Sequence, residues 1–272
     1  MTRPVCFASD YGYADDFAGV CRGVIARIAP SVQVIDVTHG LPRGDVLAGA
    51  LVLRNTLAYM PDHAVHLAVV DPGVGGTRRA IALRSVGDRL FVGPDNGLLT
   101  LAAEADGGVA DAFELTNEEL WLSPRSATFH GRDIFAPVAA RLAEGLTLAV
   151  VGKTLQPAGI IRPPLPEPAR TATGVLATAM LVDRFGNVAL NLDAARLEEA
   201  GLGEHIEVLT GGERYLAQVA RTFSAVRPSD IVVLVDSYGQ AALAVNAGSA
   251  CEVLGVTPGD LVELRRLPSY AD

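Results

Sequence analysis

The chain has 272 residues, of which 50% are hydrophobic and 19% are charged. This length predicts about two domains of roughly 150 residues, and the apolar content is sufficient for packed cores, which excludes a disordered chain. The formal net charge is −9 and neither half is basic, so wrapping of nucleic acid and binding to anionic membranes are not expected.

The cysteines and the apolar runs indicate the compartment. Cys6, Cys21 and Cys251 lie far apart and form no Cys-x-x-Cys pair, which suits neither a disulfide framework nor a zinc site. The first twelve residues contain no long apolar stretch, and no run approaches the ~20 residues that cross a bilayer. We therefore expect no signal peptide, no membrane contact and a location in the reducing cytoplasm.

The first half of the chain alternates predicted strands with predicted helices, which are recognised by apolar runs and by helical apolar spacing. In chain order these are a strand at 4–8, a helix at 15–29, a strand at 32–37, a helix at 45–59 and a strand at 64–70. This order predicts a mainly parallel sheet with right-handed crossovers. Two strands at 79–85 and 89–92, with no helix between them, and a helix at 133–143 follow.

A proline-rich segment separates this half from a region in which strands dominate. Residues 161–170 contain four prolines and are interpreted as a linker between domains at 1–160 and 171–272. Gly211 and Gly212 lie between two alternating runs and predict a β-hairpin. Strands are predicted at 174–182, 205–210, 213–219, 231–235 and 261–264. We therefore predict an α/β amino-terminal domain followed by a small carboxy-terminal β-barrel domain.

Polar residues follow several predicted strands of the first half. Asp10 follows the first strand, Asp71 ends the third, and a glycine-rich turn after Asp71 brings Arg78 back towards its carboxylate. His130 precedes the helix at 133–143, and Asp95 follows another strand, with Asn96 next to it. Open α/β sheets bind ligands at the carboxyl ends of their strands. Each residue alone also fits a structural role as a cap or an ion-pair partner, so both interpretations stay open at this point.

Eight short segments carry a more specific signal. In the first predicted domain they are FASDYG at 7–12, VIDVTH at 34–39, VVDPGVG at 69–75, GPDNGLLT at 93–100 and TFHGRD at 128–133. In the second they are DRFGN at 183–187, DSYG at 236–239 and NAGS at 246–249. In this order, the segments resemble the S-adenosylmethionine (SAM) hydroxide adenosyltransferases, the adenosine-forming SAM hydrolases related to fluorinase and chlorinase.

The resemblance implies a homotrimer in which SAM lies between the first domain of one subunit and the second domain of its neighbour. It implies that Asp10 binds the ribose hydroxyls through its two acceptor oxygens. The other substrate-binding residues that it implies are Phe223 stacked on adenine, Asn187 and the backbone at Ala247 on the adenine edge, Asp183 and Ser237 at the methionine ammonium and carboxylate, and Phe129 and Tyr238. Gly44 and Tyr238 depart from the halogenases, which carry Trp and Arg at these two places.

The hydrolases of this family are marked by an Asp-Arg-His set, which this chain matches with Asp71, Arg78 and His130. The resemblance therefore implies hydrolysis of SAM at C5′ to adenosine and L-methionine, with Asp71 and His130 holding the water and Arg78 supporting Asp71. SAM is the substrate, and neither a cofactor nor a metal is expected. Two alternatives remain open: a non-catalytic SAM or adenosine sensor, and a metal-dependent nucleotide or nucleoside hydrolase whose cation is held by Asp10, Asp15, Asp16, Asp71 and Asp95.

Overall fold

Residues 2–267 are described by the computed structural model. The chain divides into two units, residues 1–164 and residues 165–272, and this division falls inside the proline-rich segment. Within residues 2–267 the helices are all too short or too polar to cross a membrane.

The described part of the first unit contains seven strands and four α-helices. The strands are β1 (Val5–Ser9), β2 (Val34–Thr38), β3 (Val65–Val69), β4 (Ala80–Ser85), β5 (Leu90–Pro94), β6 (Val109–Leu115) and β7 (Gly152–Leu155). The helices are α1 (Phe17–Ile28), α2 (Val46–Thr56), α3 (Thr100–Ala105) and α4 (Ala136–Ala143).

These strands form one sheet in the order β2-β1-β3-β5-β4-β6-β7. The pairs β1–β2, β1–β3 and β3–β5 are parallel, whereas β4 is antiparallel to both β5 and β6, and β7 is antiparallel to β6. Within residues 2–267, five of the seven strands of this sheet therefore run in the same direction. The predicted mainly parallel sheet is confirmed, and the two strands predicted without an intervening helix form an antiparallel hairpin.

Helices cover both faces of the sheet. Along β3, Val65, Leu67 and Val69 pack into the core that contains α1 and α4. The alternate residues Ala68 and Val70 pack into a second core with α2 and α3. Because both faces are covered by helices, a ligand can reach the parallel sheet only at the ends of its strands.

The helices differ from their predicted bounds at their beginnings. α1 begins at Phe17 with Asp16 as its N-cap, so Asp15 lies in the preceding turn rather than in the helix. The helix predicted at 45–59 is α2 followed by a 3₁₀ turn. The helix predicted from Asp133 begins earlier, with a π-helical turn at Gly131–Phe135 that continues into α4.

The second unit forms a closed β-barrel. Its strands are β8 (Ala169–Arg170), β9 (Gly174–Val182), β10 (Val188–Asp193), β11 (His205–Thr210), β12 (Glu213–Val219), β13 (Ile231–Val235), β14 (Gln240–Val245) and β15 (Leu261–Arg266). Within the described residues, seven of them pair in the order β10-β14-β13-β12-β11-β15-β9, and β9 pairs back with β10. The predicted barrel is confirmed, and β8 pairs with β9 outside the ring.

The hairpin predicted at Gly211 and Gly212 connects β11 and β12. Thr210 pairs with Glu213, and the two glycines have φ values of +57° and +85°. Two successive residues with positive φ give a tight turn whose twist matches that of the strands. The sequence analysis did not predict β10, β14 or the two short helices α5 (Ala194–Glu199) and α6 (Ala250–Leu254).

Candidate active site

The parallel sheet reverses its winding at β1. The chain leaves β1 to form β2 on one side and later returns to form β3 on the other. At such a switch point the connections diverge and leave a crevice beyond the carboxyl ends of the strands, where ligands bind. Asp10 and Asp71 follow β1 and β3 at this point, and the Asp10 N–H donates to the Val69 carbonyl at 3.3 Å.

The Asp10 carboxylate is held from one side by the turn that precedes α2. Its Oδ2 accepts a hydrogen bond from the Gly44 N–H at 2.9 Å. Beneath it, the buried Ser9 hydroxyl and His39 Nδ1 lie 2.7 Å apart, and the His39 carbonyl accepts from the Gly12 N–H at 2.7 Å. These bonds fix the backbone on either side of Asp10 and leave Oδ1 available to a ligand.

The predicted set of Asp71, Arg78 and His130 is assembled as one hydrogen-bonded chain. Arg78 Nε donates to both carboxylate oxygens of Asp71, at 2.9 and 3.1 Å, and Arg78 Nη2 lies 2.5 Å from Oδ2. The same Nη2 lies 2.8 Å from His130 Nδ1. The predicted return of Arg78 to Asp71 is therefore confirmed. The side chains of Asp71 and Arg78 are only 5% and 11% exposed.

This contact determines which nitrogen of His130 carries the proton. A guanidinium has five N–H donors and no acceptor, so Arg78 donates and His130 Nδ1 accepts. A neutral imidazole that accepts at Nδ1 carries its proton on Nε2. Burial, followed by the Arg78 charge, lowers the pKa of His130 below its ordinary value. His130 is therefore a neutral side chain whose Nε2–H is a hydrogen-bond donor.

Glycines hold the loops that carry these residues in close contact. Gly75 has a φ of +75°, and a Cβ there would overlap the Ala127 carbonyl oxygen. A Cβ at Gly131 would overlap the Tyr11 hydroxyl. The loop after Asp71 is thereby packed against the loop before His130. The π-helical turn that begins after His130 is a local irregularity of the kind that often occurs at functional sites.

A cleft of about 930 Å³ opens at this edge of the first unit. Four side chains that the sequence analysis did not select also contribute to its wall, namely Tyr11, Phe17, Arg43 and Arg132. The predicted residues Asp10, Asp71, Phe129 and His130 line the same cleft. Tyr11 and Arg132 lie inside the segments 7–12 and 128–133. Their position in these segments could therefore have identified them as candidate site residues.

Aromatic rings form one wall of the cleft around Phe129. Its ring centroid lies 5.7 Å from that of Tyr11 and 5.3 Å from that of Phe17, both in edge-to-face arrangements. Arg132 lies over the Phe129 ring at 4.9 Å. Burial, followed by nearby negative charges, raises the pKa of Tyr11, which keeps its phenol neutral.

Asp95 and Asn96 lie outside this cleft. Asp95 is buried, pairs with Arg79 and accepts from the Ile161 N–H at 2.9 Å. Asn96 Nδ2 donates to the Val70 carbonyl at 2.9 Å. Asp95 and Asn96 therefore stabilise the fold through these contacts, which is the structural alternative considered from the sequence. Over residues 2–267 there is no group of three or more His, Cys, Asp or Glu side chains arranged to hold a metal ion, so the five aspartates considered from the sequence do not form one site.

The predicted binding residues of the second unit lie on its loops. Asn187 Nδ2 donates to Asp183 Oδ2 at 2.8 Å. Gly186 packs against Ser249, and this contact places the loop of Asn187 beside the loop that contains Ala247, whose φ is +58°.

The remaining two loops approach different ends of β14. Phe223, which is 48% exposed, lies in the loop between β12 and β13, and Val226 of that loop accepts from Asn246 Nδ2 at 2.8 Å. Asn246 directly follows β14. Ser237 and Tyr238 form the turn that precedes β14, at its opposite end, and Tyr238 is 47% exposed.

Comparison with known proteins places both units in one family. Residues 5–152 match the SAM hydroxide adenosyltransferase N-terminal domain, and residues 177–263 match the corresponding C-terminal domain. A protein of Salinispora tropica named (R)-S-adenosyl-L-methionine hydrolase is 53% identical over 256 residues, which cover 94% of this chain and 95% of that protein. A fluorinase of an Actinoplanes species is 30% identical over 271 residues, covering 89% of this chain and 91% of its own.

A solved structure shows the same architecture. The crystal structure of an uncharacterized conserved protein from Thermotoga maritima superposes with a TM-score of 0.90 at 38% sequence identity. The superposition covers 96% of this chain and 100% of that one. The two domain matches, the hydrolase of similar length and this structural likeness agree, and the chain belongs to the SAM hydroxide adenosyltransferase family.

Proposed function

We propose that this protein hydrolyses SAM at C5′ and releases adenosine and L-methionine. The observation that carries the proposal is the hydrogen-bonded chain of Asp71, Arg78 and His130 beside the cleft. Two of its members line the cleft, and the third fixes their orientation. The Salinispora relative, whose name describes hydrolysis of this substrate, supports the same reaction.

Hydrolysis of SAM at C5′ needs mainly a positioned water molecule. SAM carries a sulfonium, so the C5′–S bond already has a good leaving group and the reaction uses no cofactor. The water oxygen forms a bond to C5′ as the C5′–S bond breaks, and the bonding pair moves to sulfur to give the neutral thioether of methionine. Holding the water in line with that bond accounts for ~7–11 kcal/mol of the barrier at most.

The geometry gives different roles to His130 and Asp71, the two residues of the set that line the cleft. The His130 Nε2–H donates to the water oxygen and orients its lone pair towards C5′. Because Nε2 carries a proton and Nδ1 is bonded to Arg78, His130 is not the base. The Asp71 carboxylate therefore accepts the proton of the attacking water. Arg78 holds the carboxylate in place and fixes the tautomer of His130.

Incubation of the protein with SAM, followed by chromatography, tests the proposed reaction. We expect adenosine and methionine in equal amounts, with the same rate when EDTA is present. Loss of activity in EDTA would favour the metal-dependent hydrolase instead. Tight binding of SAM without adenosine after several hours would favour the sensor.

The configuration at sulfur is a further part of the proposal. The name of the Salinispora relative specifies (R), and since L-methionine is named separately, the descriptor refers to the sulfonium centre. We expect this chain also to prefer the (R) epimer, because it is 53% identical to that relative and because the configuration at sulfur decides where the methyl group and the methionine chain lie once the C5′–S bond is in line with the water. Separate assays of the two purified sulfonium epimers test this preference, and faster cleavage of the (S) epimer would contradict it.

The pH dependence of turnover reports on His130. Only the neutral imidazole accepts from Arg78, so protonation of Nδ1 breaks the chain. Because burial and Arg78 lower the pKa of His130, the neutral form persists as the pH falls through 6.5. We therefore expect the fall of kcat at saturating SAM on the acid side to have its midpoint below pH 6.5. A loss of kcat centred above pH 6.5 would contradict this account of His130.

We also propose the homotrimer with shared sites, in the cytoplasm. The exposed side chains of Phe223 and Tyr238 support contact of the second unit with another surface. The free thiols of Cys6, Cys21 and Cys251 support a reducing compartment. In such a trimer, the first domain of one subunit and the second domain of its neighbour form each site.

Mixing two variants that bind SAM weakly, assayed at a SAM concentration well below their KM, tests the shared site. Asp10→Ala and Phe223→Ala should each weaken SAM binding, the latter by roughly 1–3 kcal/mol through lost burial and stacking. After subunit exchange, some sites combine an intact Asp10 with an intact Phe223, so part of the activity should return. Activity that stays at the level of the separate variants after proven exchange would argue against a shared site.

A further inference from the structure

The first two of the eight short segments meet beneath Asp10. Ser9 belongs to the first segment and ends β1, whereas Asp36 and His39 belong to the second, which forms β2 and the residue that follows it. Ser9 and His39 are fully buried. The proposed reaction uses none of these three side chains.

The three side chains form a row that leads from the surface to the turn after β1. Asp36 is 23% exposed, and its Oδ1 lies 3.3 Å from His39 Nε2. These two atoms are buried, and neither has a hydrogen-bond partner elsewhere in residues 2–267. On the other side of the ring, His39 Nδ1 lies 2.7 Å from Ser9 Oγ, which also accepts from the Tyr11 N–H at 3.3 Å. The row therefore connects Asp36 to the peptide between Asp10 and Tyr11.

The chemistry of the groups fixes the direction of these hydrogen bonds. A carboxylate oxygen only accepts, so Nε2, the nitrogen that faces Asp36, carries a proton. Among residues 2–267, His39 Nδ1 is the one acceptor that Ser9 Oγ meets, so the Ser9 hydroxyl donates to it. A lone pair of Ser9 Oγ then accepts from the Tyr11 N–H. Asp36 thereby determines the tautomer of His39, and His39 determines the orientation of the Ser9 hydroxyl.

The surroundings of the row favour a positioning role. The rings of Phe7 and Tyr13 lie edge-to-face to His39, with centroids 4.5 and 5.3 Å away, and hold the imidazole between them. Serine, histidine and aspartate in this order also form nucleophilic triads, but a fully buried serine cannot reach a substrate. The backbone turn that carries Asp10 is what the row contacts at its inner end.

We propose that Asp36 acts through His39 and Ser9 to hold the turn that presents Asp10 to the ribose hydroxyls. The three are positioning residues, because none of them lines the cleft. A carboxylate that is held in place before the ligand arrives loses less conformational freedom on binding, so the ligand is bound more tightly. This inference rests on the proposed function and on the assignment of Asp10 to the ribose.

Titration with two uncleaved nucleosides tests this role. Adenosine carries both ribose hydroxyls, and 2′,3′-dideoxyadenosine lacks them. Asp36→Leu replaces the carboxylate by a group of similar size without an acceptor. The dissociation constant of adenosine should then rise about tenfold, the effect of one lost buried hydrogen bond, whereas that of the dideoxynucleoside should stay the same. Asp36→Asn keeps an acceptor for His39 Nε2 and should recover part of the loss.

Arg22→Ala is the matched control. Arg22 pairs with the other oxygen of Asp36, Oδ2, at 3.1 Å, and its side chain is 52% exposed. Loss of such an exposed pair should leave the binding of both nucleosides as in wild type. Ser9→Ala tests the inner end of the row and should give the same selective loss as Asp36→Leu. In an Asp10→Ala background, Asp36→Leu should cause no further loss, because residues that act through one another are not additive.

Equal weakening of both nucleosides in Asp36→Leu and Ser9→Ala would overturn the proposal, because it would show a general defect of the fold. Unchanged binding of adenosine in both variants would also overturn it, and so would a wild type that binds the two nucleosides equally. Failure of the proposed reaction is seen separately. If wild type cleaves no SAM but Asp36→Leu selectively weakens adenosine, the reaction is wrong and the role of Asp36 stands.

Discussion

Replacement of Asp71 by asparagine is expected to lower kcat for SAM by about 10²–10⁴-fold, the range for loss of a positioned proton acceptor. Asparagine has nearly the same shape, but its amide accepts no proton from water, and its NH₂ group opposes the N–H donors of Arg78. SAM binding should change far less, because Asp71 is assigned to the water and not to recognition. Steady-state kinetics with both kcat and KM measured test this prediction.

Asp111→Asn provides the control for that variant. Asp111 also pairs with an arginine, Arg84, but both side chains are more than 40% exposed and lie away from the cleft. Exposed ion pairs contribute little, about 0–1 kcal/mol, so this variant should keep near-normal kinetics and stability. Normal kcat in Asp71→Asn, with SAM binding lost instead, would show that Asp71 recognises the substrate.

Adenosine is expected to be the only nucleoside product even in molar chloride or fluoride. A halide beside Asp71 would be repelled by the carboxylate, and it has no proton whose transfer could relieve the repulsion. Two like charges 4 Å apart cost about 4 kcal/mol at an effective dielectric constant of 20, and this is an upper bound here because the Arg78 charge paired with Asp71 offsets part of the repulsion. Water has no such penalty, because it donates a hydrogen bond to the Asp71 carboxylate and accepts one from the His130 Nε2–H. A 5′-halogenated nucleoside at comparable yield would refute this role of Asp71.

Isotope labelling locates the bond that breaks. In ¹⁸O-water the label should appear in the 5′-hydroxyl of adenosine and not in methionine, because the water oxygen attacks C5′ and sulfur leaves with its electron pair. Mass spectrometry of both products distinguishes these outcomes. Unlabelled adenosine would require a different oxygen source and would contradict direct attack by water.

Elements with a clear periodicity were predictable from the sequence, and short or alanine-rich ones were not. The buried strands and α1 show regular apolar spacing over many residues. By contrast, α3 has six residues, of which the first four are buried and the last two exposed, so it is too short to show a helical period of polar and apolar residues. β14 reads QAALAV, and its alanines favour helices over strands, yet pairing with β10 and β13 makes it a barrel strand.

The candidate site also has features that the sequence predicted and features that only the structure reveals. Two of the eight short segments contain Asp71 and His130, and the glycine-rich turn after Asp71 pointed to Arg78, but the tautomer of His130 depends on a contact between residues 52 positions apart. Arg43 lies in a turn outside those segments, and only its position on the cleft wall distinguishes it from other exposed arginines.

The guanidinium between Asp71 and His130 has a consequence for how the enzyme resets after each turnover. Because a guanidinium keeps all its protons at any physiological pH, Arg78 does not relay a proton from Asp71 to His130. In the proposed mechanism, the proton taken by Asp71 cannot pass inward to His130 and leaves by the cleft through which the substrate entered. Deprotonation of Asp71 then requires departure of the products, so the next turnover begins only after adenosine and methionine have left the cleft.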